Sequence, residues 1–297
     1  MTVREPPLST LAAEPLARVG KNASVLILTL NEEANLPACL EAVSWSDDIV
    51  VLDSFSTDRT VEIARKAGAR VFQREHDSEL GQRNYGLSSI PFRNEWVYMP
   101  DADEVTTPEL REEILSVVRD PGRPEAAFRV RFKVMFMGRW IKHSSLYPTW
   151  VVRLVRPRHV RFERAFHTAC FGEGPEGQLS SHFLHYSFNK GMNAWYEKHN
   201  RYSWHEAQEA LEFRLTHRPD FAGLFSQDPR RRRQALKRLT YWMPFRPALR
   251  FFYMYLFRLG FLDGAAGLTY CRLIAVYEHM IVVKMAELRR RQKGLPV

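Results

Sequence analysis

Apolar residues come in short unbroken runs through the first 120 positions, and in alternating or helically spaced sets after that. Residues 24–30 (SVLILTL) and 48–53 (DIVVLD) have the unbroken character of strands covered on both faces. The pattern predicts two more strands, over 69–73 and 95–99 (EWVYM). Helices are predicted over 36–43, 60–67, 80–89 and 108–119, with Gly68 just past the second and Pro108 opening the fourth. Strands alternating with helices imply an α/β unit built on a mostly parallel central sheet.

Ligands of such sheets sit beyond the carboxyl ends of the strands. Those ends are polar and acidic here: Asn31, Glu32 and Glu33 after the first, residues 53–58 after the second, and 101–104 after the fourth. Downstream the rhythm changes. Residues 128–136 (FRVRFKVMF) alternate apolar and basic positions, as a strand with one wet face does, and 150–155 and 179–186 also read as extended. A helical pattern covers 191–217, a basic cluster follows at 229–238 (PRRRRQALKR), and the tail from 239 is an aromatic, apolar, helical stretch with spaced arginines. The organisation expected is a flexible leader over 1–22, an α/β domain over 23–190, and a helical extension over 191–297. Within the domain, 23–120 forms the strand-and-acid half and 121–190 the second half.

Charge sharpens this division. Residues 1–120 carry 12 Lys/Arg against 21 Asp/Glu, and residues 121–297 carry 31 against 13. The first part is therefore acidic and the second strongly basic, which suits an anionic partner: a membrane surface, a charged acceptor or nucleic acid. The three cysteines, Cys39, Cys170 and Cys271, form no zinc or disulfide pattern, and the first ten residues hold no apolar signal core. A reducing, cytoplasmic setting is expected. The best candidate span, 268–283, is short and interrupted by Arg272 and Glu278.

The acidic strand ends supply the candidate chemistry. With 11 Asp in the chain, roughly 0.4 D-x-D triplets arise by chance, so Asp101-Ala-Asp103 draws its weight from its place directly after a buried strand. Its two carboxylates offer oxygens to a hard divalent cation that would also bind phosphate. Asp53 can accept from a base N–H or a ribose hydroxyl, whereas Thr57, Asp58 and Thr60 suit a turn and helix cap. Glu32 and Glu33 are two adjacent acids beside a buried strand, and Arg83 can form a charge-assisted fork with a diphosphate.

Taken together, TLNEE (29–33), VLDSFSTDRT (51–60), QRN (82–84) and DADE (101–104) resemble the family 2 glycosyltransferases in order and spacing. A looser match through LYPTWVVRLVRP (146–157), the run around His167, EKHNRYSWHEA (197–207) and GFLDGAAG (260–267) is similar to bacterial enzymes that glucosylate lipopolysaccharide core or related envelope glycans. The resemblance implies the Rossmann-like GT-A fold and an inverting hexose transfer from a nucleotide sugar, a UDP-sugar, to a glycan or glycolipid acceptor with Mg²⁺ or Mn²⁺. It assigns the donor to Thr29, Asn31, Glu33, Asp53, Arg83 and Asp101, and the metal to Asp103 with Asp101. The chain departs from the subgroup at Thr149 and Thr168, where that subgroup carries carboxylates. The base candidates are then His167, Glu104 and Glu163.

Residues 239–260 mix aromatic side chains with Arg246, Arg250 and Arg258, a composition for a helix lying in an anionic membrane interface. This predicts a peripheral protein on the inner face of the bacterial plasma membrane. The alternative for the tail is an aromatic core helix. For the whole chain, the alternatives are a non-catalytic sugar-nucleotide binder and a polyanion or nucleic-acid binder. No nucleic-acid-reading motif is present, so nucleic acid is not expected. Nucleotidyl transfer to a sugar phosphate usually wants a glycine-rich phosphate loop, and NEEAN stands there instead.

Overall fold

The computed structural model describes residues 22–163, 169–243 and 245–297. The chain forms two compact units. The first comprises the described residues up to Arg131 together with Trp150–Leu184, and the second comprises Phe132–Thr149 and His185–Val297.

The first unit opens as the apolar runs foretell. Strands β1 (Ser24–Thr29), β2 (Ile49–Asp53) and β3 (Arg70–Gln73) alternate with helices α1 (Leu36–Ala42), α2 (Thr60–Lys66) and α3 (Glu79–Ser89). They lead to β4 (Val97–Tyr98), β5 (Glu104–Thr106) and α4 (Pro108–Val118). Later elements are β6 (Ala127–Phe136), β7 (Arg139–Trp140), β8 (Thr149–Val155), β9 (Val160–Glu163), β10 (Ala169–Gly172) and β11 (Glu176–His185). The sheet order among the described residues is β3-β2-β1-β4-β8-β6-β11-β5, with β7 on β6, and β9 and β10 form a separate antiparallel pair. The half β3-β2-β1-β4 is parallel, as expected. Beyond it the sheet is mixed, because β8 runs antiparallel to β4. This is the α/β GT-A arrangement.

The run 95–99 contributes only a two-residue strand, and one bond on either side extends its pairing with β1 and β8. Trp96 O accepts from Ser24 N at 2.9 Å, and Met99 N donates to Arg153 O at 2.7 Å. Leu26, Val50, Leu52, Val97 and Val155 form the core with Leu87 of α3, and each buried aliphatic side chain contributes about 1.5–3 kcal/mol. α3 lies close on the sheet at Gly86, where a Cβ would stand 2.7 Å from Leu26 Cδ2. That approach sets the height from which Arg83 reaches the strand ends. Gly86→Ala is expected to cost about 1–3 kcal/mol by overpacking, read as a lower melting temperature.

The second unit is mostly helical: α5 (Gly191–Thr216), α6 (Pro229–Leu239), α7 (Arg246–Phe252) and α8 (Gly264–Gln292). Its cores join Trp195 of α5 to Ala266 and Leu273 of α8, and Ala207 and Ala210 to Ile281 and Met285. The tail is helical as predicted but broken where Phe245 and Leu259 take left-handed backbone, at φ 57° and 60°. Among the described residues, one helical segment, Gly260–Gln292, is long and apolar enough to cross a membrane. It packs against α5 and α7 and contains Arg272, Glu278 and Lys284, and 28% of its most apolar window is buried.

Candidate active site

Two loops form one edge of the site. Asn31 sits at φ 54°, turning its side chain so that Oδ1 accepts from Thr57 N at 2.8 Å, while Asn31 N donates to Ser56 Oγ at 2.8 Å. Glu32 N donates to Thr60 Oγ1 at 2.7 Å, and Glu33 N to Asp58 Oδ2 at 3.1 Å. The Glu33 carboxylate accepts from Arg59 N and Nε, both at 3.2 Å. The β1–α1 and β2–α2 loops are thus stitched together, and Asp58 takes the structural role its spacing suggested. Burial opposes ionisation of Asp58. The Thr60 hydroxyl and the Glu33 amide outweigh it and hold the carboxyl below its ordinary range. Its contribution is therefore present above the unfolded carboxylate pKa and lost as pH falls through the lower folded value.

Asp53 forms the floor. It is fully buried, and its oxygens accept from Thr29 Oγ1 (2.9 Å), Ser56 N (2.9 Å), Ser56 Oγ (2.5 Å) and Gln73 Nε2 (3.2 Å). Thr29 is buried with it. In this arrangement both residues shape the loop that would meet a nucleoside, while Asn31 and Glu33 are exposed. Asp53→Asn would set an NH₂ against hydrogen-bond donors, at a cost of about 1–3 kcal/mol, measurable as a lower melting temperature.

The opposite edge is the turn after β4. Asp101 Oδ1 accepts from Arg83 Nη2 at 2.8 Å, and Asp101 Oδ2 is held by Arg153 Nη2. Arg153 also binds Glu104 through Nε (2.8 Å) and Nη2 (2.6 Å), and Arg83 Nη2 reaches Glu79 at 2.9 Å. Both arginine side chains are 7% exposed, against 36% for the Asp101 side chain. Burial alone would lower the Arg153 pKa; the Asp101 and Glu104 carboxylates reverse that and raise it. The lattice closes on the turn itself, since Asp101 N donates to Glu104 Oε2 at 3.1 Å and Glu104 N to Asp101 O at 3.0 Å.

Two sequence expectations change here. Arg83, expected on a donor diphosphate, is buried and turned onto Asp101, so in this arrangement it positions that carboxylate. Glu104, a base candidate, is 2% exposed with both oxygens on Arg153, so in this arrangement it is buried in an ion pair and acts as a structural acid. Glu163 is exposed at the end of β9. The residue before it is tied to α3 by Asn84, whose Oδ1 accepts from Phe162 N at 3.0 Å and whose Nδ2 donates to Phe162 O at 2.9 Å. His167 lies outside the described residues.

The turn is electronegative. Arg153 holds Asp101 and Glu104, Arg83 joins Asp101 to Glu79, and Asp103 is partly exposed on the same turn. Beneath them the Cys39 thiol donates to Asp101 O at 3.6 Å; burial first, and then Glu104, Asp101 and Asp103, push its pKa well up. Among the described residues no group of three or more His, Cys, Asp or Glu could by itself hold a metal ion. Asp103 with Asp101 nevertheless fits the small share of ligands that a hard cation takes from protein when phosphate oxygens and water complete its shell.

Arg153 was missed from sequence, although a lone arginine inside the apolar strand VVRLV signals a buried ion pair. Phe55 was also passed over. It stands at φ 59° on the β2–α2 loop, 53% exposed, a backbone conformation that costs a non-glycine residue roughly 1–2 kcal/mol.

Comparison with known proteins places these observations in a family. An uncharacterized glycosyltransferase of Rickettsia typhi is 32% identical over 120 residues, which is 40% of each chain. The chain thus spans about two fifths of the length of that relative. The lipopolysaccharide core biosynthesis glycosyltransferase LpsC of Rhizobium meliloti is 26% identical over 196 residues, covering 64% of this chain and 72% of LpsC. The solved structure of S. aureus TarS 1–349 aligns with a TM-score of 0.43 at 15% identity, covering 91% of each chain. Residues 24–173 match the family described as Glycosyl transferase family 2, a segment holding β1, both stitched loops and the acid–arginine turn, and the chain belongs to that family.

Proposed function

We propose that the protein is an inverting glycosyltransferase that moves a hexose from a UDP-sugar to a cell-envelope glycan or lipid-linked acceptor with Mg²⁺ or Mn²⁺. The observation that carries this is the turn at 101–104: Asp101 and Asp103 follow β4, which pairs in parallel with β1, and β1 and β2 end in the two stitched loops. The relative named for lipopolysaccharide core biosynthesis supports the class of acceptor. A cytoplasmic site, where nucleotide sugars are made, goes with this reading.

In the reaction, the acceptor hydroxyl oxygen forms a bond to the anomeric carbon on the face opposite the diphosphate. The bond from that carbon to the diphosphate breaks, and UDP leaves with the electron pair. The hydroxyl proton passes to a base, for which Glu163 is the described candidate, contributing typically ~10²–10⁴-fold. Asp103, with Asp101, would hold the cation. When bound, it offsets the charge that grows on the departing diphosphate. Arg83 and Arg153 fix Asp101 before the reaction starts, so no reorganisation is needed there. Asn31 and Glu33 present polar edges to the nucleoside.

The test is a thermal-shift screen of nucleotide sugars with and without Mn²⁺. A ligand at 100 times its Kd stabilises by about 2.7 kcal/mol, so one UDP-sugar should raise the melting temperature, and more so in the presence of metal. No stabilisation by any nucleotide sugar would sink the proposal. A second reading, a sugar-nucleotide binder without activity, is favoured by one observation: Glu104 is consumed by Arg153. Glu163→Gln separates the two. A catalyst loses kcat with donor affinity kept, whereas a binder shows no turnover to lose.

A further inference from the structure

A helix packed on a water-soluble core turns apolar residues inward and charges outward. α7, with the π-helical turn Tyr253–Phe257 that continues it, turns Met254 inward but leaves most of its other apolar side chains outward. Phe245, Leu249, Phe252, Tyr253, Leu256 and Phe257 are all between 43% and 80% exposed. Their spacing of three and four residues puts them on one stripe. Beside Met254, the inward side carries charge. Arg246, 7% exposed, places Nε 2.6 Å from Glu278 Oε2 of α8, and Arg250 Nε lies 4.0 Å from Glu278 Oε1. The following turn adds Phe261 and Leu262, 44% and 59% exposed, to the apolar surface.

Contiguous apolar surface of this size marks an interaction face, and the charge around it selects the occupant. Residues 229–262 hold nine Lys/Arg and no Asp or Glu. Arg258 is exposed within the apolar stretch, and Arg231 and Arg232 are exposed on α6. The segment after α6 is tied to α7 by Arg246, whose guanidinium carbon lies 5.3 Å from the Tyr241 ring centroid. A second copy of this face would set arginines against arginines. An anionic bilayer offers acyl chains to the phenylalanines and phosphates to the arginines.

We infer that the stripe from Phe245 to Leu262 is a membrane-docking surface that enters the interface of an anionic bilayer parallel to its plane. The stretch is too short and too often interrupted to span, since a spanning helix needs roughly 20 apolar residues. The buried Arg246–Glu278 pair fastens the inserted helix to α8, so the stripe is held outward as a rigid ridge. This inference stands apart from the donor chemistry, because no residue of the stripe belongs to the first unit.

Cosedimentation of the full chain with vesicles of phosphatidylcholine, alone or mixed with phosphatidylglycerol, tests it. Wild type should bind the mixed vesicles, more weakly as salt is raised, and bind pure phosphatidylcholine less. Leu249→Ser/Phe252→Ser/Phe257→Ser should weaken binding by roughly tenfold or more, from the apolar area lost, while keeping the wild-type melting temperature and UDP affinity. Arg231→Ser/Arg232→Ser, which leaves the stripe intact, should reduce only the preference for anionic vesicles. Equal binding by the stripe variant, no binding of wild type to mixed vesicles, or a lipid-free dimer that the stripe variant abolishes would each overturn the inference.

Discussion

Arg153→Met is expected to lower the melting temperature more than any other single change near the candidate site. The guanidinium is buried and serves two carboxylates, Glu104 through two of its nitrogens and Asp101 through one. Removing it leaves Glu104 2% exposed and without its counter-charge. Breaking a buried pair in this way costs about 3–5 kcal/mol. At about 2–4 °C per kcal/mol for a domain of this size, the transition should fall by roughly 6–20 °C. Arg153→Lys keeps the charge but has a single nitrogen in place of the fork, so it should fall between the two. Pairing Arg153→Met with Glu104→Gln removes the stranded charge and should recover part of the loss, which a double-mutant cycle followed by thermal melting would measure. Equal melting of wild type and Arg153→Met would mean that the lattice does not hold the turn.

Asp103→Asn should behave in the opposite way. Asp103 is partly exposed on the turn, and surface substitutions usually stay within about 0.5 kcal/mol in stability. Sugar transfer, however, should drop by about 10²–10³-fold, the scale seen when one preorganised charge-stabilising group is lost. Glu163→Gln should lower kcat by a comparable factor with no change in the metal dependence. Asp101→Asn should lose both stability and turnover, because that carboxylate is held by Arg83 and Arg153 and also faces the site.

Much of the first unit could be read from the sequence, because buried parallel strands write themselves as apolar runs. β1, β2 and β3 begin or end within one residue of the runs that predict them. β5, β7, β9 and β10 are not predicted, since they are short and lack the unbroken apolar run that marks β1 and β2. The acidic strand ends were visible as residue types, but their division of labour was not. Asp53 and Glu33 look alike in a sequence, yet one is a buried floor with four donors and the other an exposed rim. Glu104 looked like an available acid until Arg153, 49 residues away, was found against it. Partners at that separation leave no local trace beyond a charge in an apolar strand. The tail illustrates the same limit: the composition of 239–260 suits either an interface helix or a core helix, and the outward stripe of α7 is visible only in side-chain exposure.

The 101–104 turn is proposed to bind a divalent cation together with a nucleoside diphosphate. Calorimetric titration of UDP into wild type and Asp103→Asn, each with and without Mn²⁺, addresses this at equilibrium. The coupling must be reciprocal, so Mn²⁺ should strengthen UDP binding to wild type by roughly 5–150-fold. In Asp103→Asn that gain should vanish, while metal-free binding stays the same. UDP affinity that is indifferent to Mn²⁺ in wild type, or equally enhanced by Mn²⁺ in the variant, would contradict the assignment of Asp103.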